Sequence, residues 1–205
     1  MRFPGFILRY KYLFEVMGIL FVILTGVLFF GGIIPKVRFV SETVHLTIDK
    51  EDINVDVMFR YVNRFPLPLV QGFSIPTPQD EGLQEPQCVL VGELEKSSKS
   101  PVTLFPLSYL GSLPRFQVRF GPREEKTVQV WYSQKHDRHT AKYLLTTTRK
   151  WRHPLESGRY VLTLDSVELI HSNYPLERLD ENNFAFERRN FMPSQDWILK
   201  IQVPQ

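Results

Sequence analysis

The chain has 205 residues, of which 43% are hydrophobic, 23% charged and 13% aromatic. Such a composition supports a packed core and excludes a chain that is disordered throughout. The formal charge of +3 divides into +2 over residues 1–35 and +1 over the remainder. No concentrated basic stripe exists, which excludes nucleic acid as a partner.

In chain order, Arg2, Arg9 and Lys11 come first, and then an uncharged run of nineteen residues from Val16 to Ile34. As a helix that run would extend about 28 Å, close to a hydrocarbon thickness of ~30 Å. It predicts a transmembrane helix over residues 13–35, behind a short cytoplasmic N-terminus of residues 1–12. The basic residues ahead of it place that end in the cytoplasm, and Tyr10 and Tyr12 fit an aromatic belt. The run is longer than the apolar stretch of a signal peptide and no Ala-x-Ala site follows it, which favours a retained anchor over a cleaved leader. Gly18, Thr25, Gly26, Gly31 and Gly32 form a candidate face for packing against other membrane helices.

Beyond Pro35 the hydrophobic period becomes two. Val44, Leu46 and Ile48 alternate with polar neighbours, as do Ile53, Val55, Val57, Phe59 and Tyr61. These predict half-buried strands joined by a tight connection at residues 49–52. Further strands are expected at 88–94, 102–105, 116–120, 127–132, 142–147, 160–164, 167–170 and 197–203. Short strands bounded by turn residues predict an all-β fold, an immunoglobulin-like sandwich preceded by the one N-terminal transmembrane helix, with a β-barrel as the alternative. The exported sandwich domain would cover residues 36–205.

Residues 64–86 contain five prolines, which interrupt strand ladders. Phe65, Leu67, Leu69 and Phe73 are nevertheless too apolar for a solvated linker, and they are candidate partner-binding residues. Cys88 is the only cysteine; it excludes an intrachain disulfide and reads as a buried structural thiol within a strand. Trp151 sits in the loop Arg149–Pro154 among basic residues and is a second contact candidate. Phe191, between Arg188–Arg189 and Met192–Pro193, is a third. Trp131–Tyr132, Tyr143, Tyr160 and Trp197 serve either a core or a carbohydrate or lipid groove.

The sequence carries no nucleophile elbow, zinc-protease helix or phosphate-binding loop. His136 and His139 flank Asp137, but zinc needs three or four placed ligands. No catalytic residue, cofactor or metal is therefore assigned, and the chain is not read as an enzyme. The leading expectation is an accessory subunit in the bacterial cytoplasmic (inner) membrane. Its exported domain, periplasmic or extracellular, would organise a complex with other integral membrane subunits and lipid. One alternative is a tethered module binding glycan, lipid or another small ligand. Another is a metal-assisted enzyme using His136 and His139.

Overall fold

The computed structural model describes residues 14–24, 36–79, 82–94 and 101–204. Residues 14–24 are helical. No helix among the described residues is long and apolar enough to cross a membrane. This corrects the expected transmembrane helix over 13–35. The single-pass topology, the inner-membrane location with a periplasmic or extracellular domain, and the membrane-subunit and lipid partners rested on that span and are withdrawn with it. Of the proposed packing face, Gly18 has nothing within 4 Å of where a Cβ would stand. Thr25, Gly26, Gly31 and Gly32 lie outside the described residues.

Residues Val37–Gln205 form a separate unit. Its strands are β1 (Val37–Ile48), β2 (Asp52–Asn63), β3 (Leu69–Ser74), β4 (Gln87–Leu94), β5 (Pro101–Leu104), β6 (Ser108–Leu110) and β7 (Leu113–Phe120). They continue as β8 (Glu125–Lys135), β9 (Thr140–Tyr143), β10 (Leu155–Leu164), β11 (Glu168–Ser172), β12 (Glu177–Arg178), β13 (Asn183–Phe191) and β14 (Trp197–Gln202). A 3₁₀ turn over Thr146–Trp151 joins β9 to β10.

The alternation in β1 and β2 sets their two faces. Val44, Leu46 and Ile48, with Ile53, Val55 and Val57, are buried, while His45 and Asn54 face outward. The connection is an Asx turn: Glu51 and Asp52 N–H groups donate to Asp49 Oδ1 at 2.9 and 2.8 Å. The side-chain oxygen thereby satisfies two amides that the turn takes out of the ladder.

β1 is antiparallel to β2 on one side and parallel to β10 on the other. A parallel pair needs a long crossover, and here the chain passes through β2–β9 before it returns. The main sheet has eight strands in the order β12-β13-β10-β1-β2-β8-β4-β5, and two three-stranded sheets run β11-β14-β9 and β3-β7-β6. These are open sheets, which sets aside the β-barrel alternative; the fold is mostly β, and its mixed central sheet with the parallel β1–β10 pair corrects the expected immunoglobulin-like arrangement behind a transmembrane helix. Local alternation shows which side of a strand is buried but not which distant strand lies beside it.

All three sheets contribute to one core, for example Leu46, Phe116, Phe120, Trp197 and Leu199. The proline-rich stretch joins it through β3, which pairs with β7. Phe73 is buried and stacks on Phe116 at 5.3 Å. A second aromatic group forms where Phe186 stacks on Tyr160 at 4.4 Å and meets Trp197 edge-on at 5.1 Å.

Candidate functional site

The outer face of the main sheet carries the candidate site. Strand register builds it row by row. His45 pairs with Asp56 and Asp56 with Trp131; Thr47 pairs with Asn54 and Asn54 with Ser133; Met58 pairs with Gln129. Neighbouring strands lie about 4.8 Å apart, so β1, β2 and β8 present a grid of polar groups with one indole in it. These residues line a cleft of about 630 Å³, together with Cys88 and Leu94 from β4.

Gln129 is 5% exposed although it belongs to the outer face. Its Nε2 donates to Asp56 Oδ1 at 2.7 Å, which orients the carboxylate and occupies only one of its oxygens. Among the described residues, Gln129 Oε1 accepts no hydrogen bond. A buried acceptor left unpaired costs roughly 1–3 kcal/mol, so the floor of the cleft retains unused hydrogen-bonding capacity. Gln129 is not among the residues singled out from the sequence. The available signal was a polar residue within Thr127–Tyr132, on the same side of the strand as Trp131.

Cys88 is exposed, correcting the expected buried thiol. β4 changes register against β8 between Gln87 and Leu90, and Cys88 has φ +51°. A bulge of this kind turns a side chain away from the regular alternation, and this one directs Cys88 to the cleft.

The partner-binding candidates do not gather into one surface. Leu67 is exposed, Phe65 and Leu69 are half-buried, and Phe73 is buried. Trp151 is half-buried, with its ring 5.7 Å from Phe39, 5.4 Å from Tyr61 and 6.0 Å from Phe73. Trp151 and Phe73 therefore meet in an aromatic cluster. Phe191 contacts a different group, edge-on to Tyr160 at 6.1 Å and Tyr174 at 6.2 Å.

His136 is buried and committed. Its Nε2 lies 2.9 Å from the Asp49 carbonyl, and its Nδ1 accepts the Arg138 N–H at 3.0 Å. The carbonyl can only accept and the amide can only donate, so the ring is the Nε2–H tautomer with both nitrogens used. Asp137 accepts the His139 and Thr140 amides, each at 2.9 Å. Desolvation pushes its carboxyl up, but those amides, helped by the nearby His139, outweigh this and hold it below the usual range. Among the described residues, no group of three or more His, Cys, Asp or Glu is placed to hold a metal ion, so the metal-assisted alternative has no centre there.

One buried acid lies away from the cleft. Glu42, on β1 in phase with Val44 and Leu46, is 4% exposed and accepts the Tyr160 hydroxyl at 2.5 Å. Burial pushes its carboxyl up to about 7, against the opposing effect of that hydrogen bond. Gly158, opposite Glu42 on β10, makes room for the pair: a Cβ there would lie 2.5 Å from the Tyr160 hydroxyl.

No protein-family model and no curated protein matches the sequence. Among solved structures, a Legionella pneumophila protein described as a nutrient binding protein superposes with a TM-score of 0.64 at 13% identity, over 82% of this chain and 67% of its own. An M1 zinc metallopeptidase from Deinococcus radiodurans gives a TM-score of 0.46 at 12% identity, over 82% of this chain and 42% of its own. The first likeness establishes a shared β fold for most of the chain. The accessory-subunit expectation rested on a membrane span, and no helix among the described residues is long and apolar enough to supply one.

Proposed function

We propose that the Val37–Gln205 unit is a small-ligand-binding module and that the cleft over β1, β2, β8 and β4 is its site. The observation that carries this reading is the unpaired Gln129 carbonyl, at the floor of a cleft also lined by Asp56 and Trp131. Binding sites combine an apolar or aromatic wall with a few converging polar groups, and this cleft has that makeup. The fold shared with a protein described as a nutrient binding protein supports the same reading.

The test is thermal unfolding of the full chain with a panel of neutral sugars, amino acids, organic amines and short-chain phospholipids. A ligand that binds only the folded state raises the midpoint, by about 2.7 kcal/mol of stabilisation at one hundred times its Kd. The expected result is a rise with at least one class that disappears in Trp131→Ala. A panel without effect, or an equal rise in the variant, would refute the proposal.

A further inference from the structure

The chemistry of the cleft wall selects among the classes of small ligand. Among the described residues, no lysine or arginine lines the cleft, so a phosphate, sulfate or carboxylate would find no compensating charge. The lining residues include the polar set His45, Thr47, Asn54, Asp56, Gln129 and Ser133. Acyl chains would leave that set without hydrogen bonds, a cost for each group deprived of water. A metal ion would have one lining carboxylate, with no ligand cluster among the described residues.

Two classes then remain, an ammonium ion and a neutral polyol, and the donor–acceptor inventory separates them. An ammonium only donates. It would use Asp56 and the Gln129 carbonyl but leave the donors of Asn54, Thr47 and Ser133 idle. A hydroxyl donates and accepts, so a ring bearing several hydroxyls can use the whole mixed set. Trp131 stands in register with Asp56, which puts an indole beside the carboxylate. Sugar rings have one face rich in C–H groups, suited to contact with an aromatic surface, and hydroxyls around the rim, suited to the polar grid. From β1 to β8 the grid spans two strand spacings, about 10 Å, room for two linked rings.

We infer that the cleft takes a neutral sugar, a short oligosaccharide, packed against Trp131 with its hydroxyls on Asp56 and on the amide carbonyl of Gln129. This rests on the binding-module reading and adds the ligand class. Gln129 Oε1 is out of reach of bulk water, so a ligand hydroxyl reaches it only by inserting between the side chains of the floor. Gln129 has a second part as a positioning residue: its Nε2 bond at 2.7 Å holds Asp56 in orientation.

Cys88 supplies a local reporter, because its thiol is exposed and lines the same cleft. The experiment measures iodoacetamide alkylation of Cys88 in the full chain, with cellotriose, maltotriose, mannotriose and chitotriose as probes. Spermidine and choline serve as ammonium controls. With a probe at ten times its Kd the site is empty about a tenth of the time, so alkylation slows about tenfold. The proposal expects this slowing with at least one sugar and with neither ammonium. It expects Trp131→Ala and the near-isosteric Asp56→Asn to weaken the sugar at least tenfold, with urea midpoints confirming that both variants fold. Protection by an ammonium and by no sugar overturns the ligand class and leaves the cleft as the site. Protection by no probe overturns the sugar proposal, and the thermal panel then decides whether the binding reading survives. A sugar that raises the thermal midpoint without protecting Cys88, and equally in Trp131→Ala, overturns this site for it.

Discussion

Glu42 makes the stability of this protein depend on pH, in the direction opposite to an ordinary salt-bridged carboxylate. Burial raises its carboxyl from 4.5 to about 7 in the folded state. When a carboxyl is raised on folding, the native state binds the extra proton between the two values. The stability it contributes is complete below the unfolded value, near 4.5, and is lost as pH rises through about 7. At 1.36 kcal/mol per pKa unit, the loss is roughly 3 kcal/mol between acid and neutral pH. Glu42→Gln keeps an oxygen to accept the Tyr160 hydroxyl and removes the titration. Urea unfolding of both proteins at pH 4.5, 6 and 8 is the assay, with unchanged m-values as the check on two-state behaviour. The variant is expected to match wild type within about 1 kcal/mol at acid pH and to exceed it by roughly 3 kcal/mol at pH 8. Asp137 acts in the opposite direction, its contribution being lost as pH falls, but it is present in both proteins and cancels in the difference. A stability difference that does not change with pH would refute the reasoning.

Three further outcomes follow from single contacts. Gly158→Ala places a Cβ 2.5 Å from the hydroxyl of a fully buried Tyr160, and urea unfolding is expected to show a loss of about 2–4 kcal/mol. The same change made on Tyr160→Ala should cost distinctly less, since the hydroxyl and the ring carbons at 2.8 and 2.9 Å are all gone, and equal costs in a double-mutant cycle would count against the clash. Asp49→Ala removes the acceptor of two turn amides and is expected to cost about 1–2 kcal/mol in the same assay. Cys88 is expected to react with a thiol reagent at native pH without denaturant, at a rate unaffected by low urea. Reaction only upon unfolding would mean that the β4 bulge does not expose it.

The chain was legible wherever the deciding interaction is local. The alternation of Val44, Leu46 and Ile48 with His45 and Thr47 reports which side of β1 is buried, because side chains alternate between faces whatever strand lies alongside. The 49–52 connection was legible for the same reason. The 88–94 and 197–203 strands were located to within a residue or so. The 142–147 strand was not, since β9 ends at Tyr143 and a 3₁₀ turn begins at Thr146. β3 and β13 were passed over, one because prolines surround it and the other because its polar residues break the alternation. Hydropathy marked Val16–Ile34 as apolar, and of that run residues 16–24 lie among the described residues, where they are helical.

By itself, then, the sequence determined a mostly β chain, the buried face of its first hairpin and the absence of a basic stripe. Tertiary structure alone decided the parallel pairing of β1 with β10, the burial of Glu42 under Tyr160, the turn of Cys88 outward at a bulge, and the cleft that joins His45, Asp56, Gln129 and Trp131. The physical reason is distance along the chain. β1 and β10 are far apart in sequence, as are the cleft residues of β2 and β8, and no pattern within a strand encodes the register between them. The solvation of Glu42 and the unpaired carbonyl of Gln129 are set by neighbours that only folding brings near.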